Sequence, residues 1–408
     1  MTERTKSSIP FVGLHAHSVA GSPFDALGYP QDHMDFAYNN GCNALALTDH
    51  GNCNGLGYQV LHAKKMKAEG KNFKPIFGVE AYFIPSLDVW NEERDRAKTD
   101  KKRASELKDS TTMSVENEGE TKRSKSILNQ RSHLILLAQN QTGLNNIFAM
   151  ISKSNSDKYF FRYPRVDYEV LREHSEGVIA ASACMGGVYA ANFWKHWDGE
   201  KEIVTDPEAC TDAFRETTRN MIDIFGDRWY GELQWHTDKK QHMINKLVIQ
   251  MHKEFGIKLI STADSHYPTP TTWKDRELYK RLGFLGKGKP SWLSDELPES
   301  VAEVGYELYP KNGDQMWESY KHYSELVGED YDDDLVMDSI TETHNIAFNR
   351  IEDFMPDNEV RLPSFVVPDG YTADAALETT SLESLNKLGL LTNPEYKARL
   401  EEELSVIS

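Results

Sequence analysis

Two histidines one residue apart, His15 and His17, close a short apolar run that begins at Phe11. On an extended strand, residues two apart share a face, so both imidazoles can point at one cation. A second apolar run, 44–47, gives way to Thr48-Asp49-His50-Gly51, which sets a carboxylate and another imidazole where strand passes into loop. Further runs carry the same kinds of group: Glu80 in PIFGVE, His133 in HLILL, Cys184 in VIAASAC, and Asp264 and His266 in LISTADSH. Five of the fourteen histidines occupy such places. Singly, Cys184 reads as a small core residue, Glu80 as surface and His266 as a hydrogen-bonded loop residue; together, at strand ends, they read as a metal centre. Imidazoles, carboxylates and one thiolate suit Zn2+ and Mn2+, with Fe2+ also in range, and five histidines are a poor set for Mg2+ alone.

These groups need a scaffold that brings strand ends together. Helical patterns at 31–40 and 55–69 alternate with the first strands, and 142–153, 206–225, 239–255 and 271–282 continue the alternation. About seven βα cycles with ligands near strand ends describe a closed α/β barrel. His133 stands at the beginning of its run, so either its loop folds back or the chain direction differs there. Residues 90–132 carry many charges and almost no core residues, which predicts a flexible insertion, with Lys101, Lys102 and Arg103 as a candidate DNA-contacting arm. From 286 the pattern changes to Gly, Pro and Ser-rich connections and an amphipathic helix at 334–351, a helical connecting region; 358–370 reads as extended and 373–407 as helical.

With 408 residues, 39% hydrophobic, eight Trp and eighteen Tyr, the chain can bury a sizeable core. No apolar run reaches the length of a membrane span, residues 1–10 lack the apolar middle of a signal peptide, and the four cysteines show no paired spacing; together these predict a cytoplasmic protein. The net charge of −18 argues against a chain-wide electrostatic grip on nucleic acid, so contact with DNA must be local. Bound divalent cations would reverse the potential inside an acidic site. Residues 158–165, KYFFRYPR, interleave basic and aromatic side chains, a pattern that fits single-stranded nucleic acid or rings packed on a barrel rim.

In order, HAHS, LTDHGN, GVEAY, SHLILLAQN, ASACMGG and TADSHY resemble the ligand motifs of the PHP (polymerase and histidinol phosphatase) superfamily, and within it the PHP domain that opens the alpha subunit of bacterial DNA polymerase III, a family C polymerase. DKYFFRYPRVDYEVL, GELQWH and NEVRLPSFVVPDG extend the likeness over nearly the whole chain. The resemblance implies a distorted (βα)7-type PHP barrel over 1–285 with a trinuclear metal site, a helical connecting region over 286–357, and a segment over 358–408 like the start of a polymerase body. It implies one ion held by His15, His17, Glu80 and Asp264, a second sharing Glu80 and adding His133 and Cys184, and a third taken by Asp25, His50 and His266. Asp25 follows Pro23 and lies one residue further from His17 than the family spacing. Asp49, grouped with the catalytic residues, orients a neighbouring ligand, and Arg162 and Arg165 contact substrate.

Three functions follow from the resemblance. The first is the N-terminal module of a replicative polymerase, with a metal-dependent 3′→5′ exonuclease acting on single-stranded DNA ends and the polymerase body in a second polypeptide or missing from a shortened chain. The second is a free-standing phosphatase of small esters such as histidinol phosphate, and the third a non-catalytic metal-binding scaffold of a split polymerase. The stretch 286–408 favours the first, since a minimal phosphatase does not need it.

Overall fold

Strands in chain order are β1 (Ala44–Leu47), β2 (Lys74–Phe83), β3 (Ser132–Ala138), β4 (Phe160–Phe161), β5 (Tyr163–Pro164), β6 (Val178–Ala181), β7 (Trp197–Asp198), β8 (Ile203–Val204), β9 (Trp229–Leu233) and β10 (Lys258–Ser261). The structure, a computed structural model, describes residues 4–99, 127–285, 296–357, 359 and 365–407. One six-stranded sheet has the order β1-β2-β3-β6-β9-β10; β4 with β5 and β7 with β8 form short hairpins. The extended segment 11–17 bonds to both of its edges: Ala46 N and Thr48 N donate to the carbonyls of Gly13 and Ala16, and Ser265 N, just after β10, donates to that of His15. One segment can reach both edges only if the sheet curls round.

Within the sheet β3 alone is antiparallel to both neighbours. This resolves the anomaly of His133. Because β3 runs backward, its first residues lie beside the last residues of β2, with His133 paired to Tyr82 and Ile135 to Glu80. The ligand at the start of one strand therefore meets ligands at the ends of the others.

Strands β1, β3, β6 and β9 are buried along their whole length, as expected where helices cover one face and a barrel interior the other. Alternation sorts their side chains. Leu134, Leu136, Val178 and Ala180 join the outer core beneath the helices, whereas Ile76, Ile135, Leu137, Ile179, Ala181, Tyr230 and Ile260 join an inner cluster with Val12 and Leu14. Parity then puts Glu80, His133, Glu232 and Thr262 on the inner face, above this apolar floor. The floor is completed from the C-terminal side. The helix Asp333–Asn345 passes into a π-helical turn, Ile346–Arg350, and Ile346, Ala347 and Ile351 enter the inner cluster. Lys74 Nζ donates to the carbonyls of Ala347 and Ile351 at 2.7 and 2.6 Å, tying that turn to β2.

Two expectations need correction. The stretch from 90 is ordered at both described ends: Leu87–Thr99 is a helix with Leu87 and Trp90 in the outer core, and Leu128, Arg131 and Ser132 are buried at the other end. Averaging over the many charges hid these anchors; Lys101, Lys102 and Arg103 lie outside the described residues. In the helix Gln141–Ser154 the sequence spacing puts Leu144, Ile147, Phe148 and Ile151 on one packing face; Leu144 and Ile147 are buried, but Met150 is buried beside them and Phe148 is exposed.

The chain divides into two compact units, residues 1–356 and 357–408. The second contains helices Ala373–Lys387 and Pro394–Ile407, separated by a turn in which Gly389 takes a φ of 71°. No described helix is long and apolar enough to cross a membrane.

Candidate metal centre

The site gathers where the curled sheet presents the end of β2, the start of β3 and the loops after β1, β6 and β10. Ligand-bearing loops here adopt backbone that most residues avoid. Among the described residues five non-glycines have positive φ, and Phe24, Ala183 and Asp264 are three of them, each at or directly before a predicted ligand. Left-handed backbone at such residues costs of order 1–3 kcal/mol each, and it persists where surrounding structure dictates it.

The first predicted ligand set converges tightly. His15 Nε2 is 3.0 Å from His17 Nε2, 3.1 Å from Asp264 Oδ1 and 3.3 Å from Glu80 Oε1, and His17 Nε2 is 3.2 Å from Asp264 Oδ1. In the second, His133 Nδ1 is 3.0 Å from Glu80 Oε1 and 3.7 Å from Cys184 Sγ. In the third, Asp25 Oδ2 is 3.1 Å from His50 Nε2 and 3.3 Å from His266 Nε2. The sets interlock, since His50 Nδ1 lies 2.6 Å from the second oxygen of Glu80. His17 with His50 and His266, His15 with His17 and Glu80, and His50 with Glu80 and His133 are each close enough to share an ion. Asp25 thus reaches the site despite its longer spacing.

Whether these residues fit cations can be judged from buried atoms that approach one another without forming a well-directed hydrogen bond. Both oxygens of Glu80, Oδ1 of Asp264, Nδ1 of His50 and Nε2 of His266 are buried without an aligned hydrogen bond among the described residues. Unsatisfied buried polar atoms are expensive, and five aimed at one small space are what a set of divalent cations would satisfy. The donor set of nitrogen, carboxylate oxygen and sulfur fits Zn2+ or Mn2+.

The electrostatics show how strongly these groups feel one another. Burial would lower the basicity of His15, but Asp264, Glu232 and Glu80 outweigh it and hold the ring well above the ordinary histidine range. His17 goes the other way, pushed down by burial and by His50 and His266. Burial would raise Glu80, yet His133, His50 and His15 keep its carboxyl well below the usual range. For Cys184, burial and the nearby carboxylates Asp264 and Glu80 push the thiol up, so a cation is required to hold it as thiolate.

Asp49 is placed differently from the ligands. Its carboxylate accepts from Ser18 N at 2.6 Å, Ser18 Oγ at 2.9 Å and Ser22 Oγ at 3.0 Å, and Ser22 Oγ lies 3.4 Å from His17 Nδ1. It fixes the turn that follows the His15-His17 pair. The turn is built around it: a Cβ on Gly21 would come within 2.5 Å of its carboxylate. Asp25 is held in turn by the buried Arg276, whose guanidinium donates to Asp25 Oδ1 and to its backbone carbonyl at 2.7 Å each, leaving Oδ2 toward the histidines.

The two predicted substrate arginines part company. Arg162 sits at the tip between β4 and β5, half-buried with a φ of 62°. Arg165 is a correction: it is 1% exposed, and its guanidinium donates to the carbonyls of Leu128, Gln130, Phe161 and Tyr163. With its donors turned to backbone, and its guanidinium 4.7 Å from the centre of the Trp90 ring, it ties the hairpin to the strand-β3 approach and does not face a phosphate. A basic residue among aromatics looks alike in sequence whether it reaches solvent or carbonyls.

Sequence reading missed four contributors. Tyr82 follows Glu80 by two residues on β2; its ring centroid lies 6.1 Å from that of His50, 5.6 Å from His133 and 5.2 Å from Tyr163, which links the hairpin to the centre. Arg131 stacks 4.1 Å from the Tyr163 centroid. Arg276 carried no sequence signal, being an ordinary cation on the helix Trp273–Leu282. Glu232 had one, its inner-face parity with Tyr230 within GELQWH.

A centre of this composition at the open end of a curled α/β sheet defines a class of metal-binding barrels. Residues 13–236, more than half of the chain, match the PHP domain, and the chain belongs to that family. It is similar to DNA polymerase III subunit alpha of Aquifex aeolicus, with 27% identity over 98% of this chain and 30% of that one. The corresponding subunit of Helicobacter pylori strain J99 is 28% identical over 90% of this chain and 27% of that one. The chain therefore spans about three tenths of the length of these curated relatives. Among solved structures, an amidohydrolase from Chromobacterium violaceum is similar at 14% identity, covering 66% of this chain and 96% of that one, with a TM-score of 0.31.

Proposed function

We propose that this chain is the PHP module of a DNA polymerase III alpha-type protein and hydrolyses phosphodiesters, removing nucleotides from the 3′ end of single-stranded DNA with three bound divalent cations, Zn2+ or Mn2+. The observation that carries the reading is the set of three overlapping ligand groups, built on five histidines and Glu80, whose atoms approach within 4.8 Å of one another at one end of the sheet. When bound, such cations supply an activated water and charge to stabilise the attacking and leaving oxygens. The chain's own residues do the rest. Glu80 faces two ligand groups at once, Asp49 and Arg276 fix the loops that carry His17 and Asp25, and the sheet interior below excludes water from the ligands.

Two features support a nucleic-acid substrate over a small ester. Tyr82 and Tyr163, both partly exposed, lie beside the centre, and the half-buried Arg162 at the hairpin tip adds positive charge next to Tyr163, a combination suited to unpaired bases and their phosphates. The second is the extended match to polymerase alpha subunits, which runs well past the barrel.

The test is metal analysis of protein purified without added metal, joined to an assay on 5′-labelled single-stranded DNA with histidinol phosphate as competitor substrate. Progressive shortening from the 3′ end with little phosphate release from the small ester is expected. The reverse preference identifies a phosphatase, and metal uptake with neither activity identifies a scaffold.

A further inference from the structure

Glu232 belongs to none of the predicted ligand sets, yet three side chains converge on one oxygen of its buried carboxylate. It lies one residue before the end of β9, 1% exposed, directly above the inner apolar cluster that contains its neighbour Tyr230. Its Oε1 is the focus of three groups: His15 Nδ1 at 2.7 Å, Thr262 Oγ1 at 2.5 Å and Gln234 Nε2 at 2.9 Å. Thr262 stands just beyond β10 and Gln234 just beyond β9, so two strands fix the carboxylate before it meets the ring. Its backbone N donates to Ser182 Oγ at 2.9 Å, which fixes the main chain as well.

Stability alone gives no reason for this arrangement. A charge buried beside an apolar layer is costly to desolvate, and a buried ion pair replaced as a whole by apolar side chains of similar volume often leaves the fold as stable or more so. What the carboxylate does achieve is orientation. A carboxylate oxygen that already accepts from Thr262 and Gln234 accepts again from His15, so Nδ1 carries a proton and the lone pair of the neutral ring is on Nε2. That nitrogen is the one aimed at Asp264, Glu80 and His17. We propose that Glu232 is a positioning residue for the metal centre: through Nδ1 it fixes the tautomer and ring plane of His15 and strengthens His15 as a ligand to the ion shared with His17, Glu80 and Asp264. Thr262 and Gln234 extend that support one step further out. The inference rests on reading the site as a metal centre, and does not depend on which phosphoester is cleaved.

The 408-residue chain would be stripped with chelator and titrated with Zn2+ against a competing chromophoric chelator, for wild type, Glu232→Gln and Thr262→Val. Glu232→Gln keeps the volume and loses the charge. Its tightest-binding step should weaken by roughly 10- to 100-fold, the range for carboxylate partners of metal-bound histidines. The metal-free form should still unfold cooperatively while the folded protein's affinity for zinc falls, whereas loss of a merely structural carboxylate would lower the melting temperature and leave that affinity unchanged. Thr262→Val, which removes one support and leaves Glu232 in place, should weaken the same step by a smaller factor; it keeps the test open if Glu232→Gln does not fold. Wild-type zinc affinity in both variants overturns the role of Glu232 alone. Wild-type protein that takes up zinc without cleaving DNA removes the nuclease reading and leaves this result standing, whereas wild-type protein that takes up no zinc overturns both.

Discussion

Glu80 occupies a position that no other ligand shares, because its two oxygens face different groups: Oε1 approaches His15 and His133, and Oε2 approaches His50 and His17. Removing it should therefore disturb more than one ion. Glu80→Ala is expected to lose at least two metal equivalents by elemental analysis, while Cys184→Ser weakens one, since a hydroxyl is a poor ligand for a soft metal. Equal losses in the two variants would show that the carboxylate does not bridge. His15→Ala and Asp264→Ala should each bring hydrolysis to background and lower bound metal with the fold retained, because the remaining groups hold the ion less well. Asp49 belongs to a different class. Asp49→Ala leaves Ser18 N and the two serine hydroxyls without their acceptor, a loss of about 1–3 kcal/mol in denaturant unfolding. Metal stoichiometry should be kept, and loss of the metal in a variant of unchanged stability would instead make Asp49 a ligand.

The hairpin of β4 and β5 makes the same separation at the scale of an element. Arg165 secures it from beneath through four carbonyls, and Arg162 marks its tip. Arg165→Met should destabilise the protein by roughly 3–5 kcal/mol if all four carbonyls are left buried and unpaired, or by about 1–3 kcal/mol if water reaches them. Arg162→Ala should leave the melting temperature near wild type and raise the KM for single-stranded DNA. The opposite pattern, with Arg165→Met stable and Arg162→Ala unfolded, would reverse the two roles. Which elements were legible in the sequence follows from the same physics. Most of the ligands could be read because they stand at or just beyond the end of an apolar run, and helices such as Lys239–Phe255 because their apolar period and closing Gly256 are local signals. The reversal of β3 was legible only as an oddity in the placement of His133, since strand direction is decided by neighbours far away in sequence. Trp90 was hidden by the charges around it, and Glu232 and Arg276 by the fact that their meaning lies entirely in the residue across the barrel they touch.

For the whole molecule, a net charge of −18 makes DNA a poor general partner, so any grip on it must be local. One buried cation sets a pH dependence. Lys311 is 3% exposed, donates to the carbonyl of Glu307 at 2.5 Å, and precedes by two residues the helix Gly313–Val327, whose positive N-terminal end disfavours another cation. Burial pushes its ammonium down from the usual lysine value to about 8. Between that value and about 10.5 the unfolded chain holds a proton that the folded chain has released, so stability rises with pH across this window and is lost as pH falls through about 8. The full shift corresponds to roughly 3 kcal/mol. Urea unfolding in chelator from pH 7.5 to pH 10 should show part of that rise in the wild type and a flatter profile in Lys311→Met. Ending at pH 10 keeps the buried tyrosines, Tyr267 and Tyr309 among them, from titrating in the folded state, since burial pushes their phenols up. The variant should also be the more stable of the two at pH 7.5, by less than the full shift because the Glu307 carbonyl loses its donor. Parallel profiles in the two proteins would mean that Lys311 keeps an ordinary lysine proton affinity in the fold.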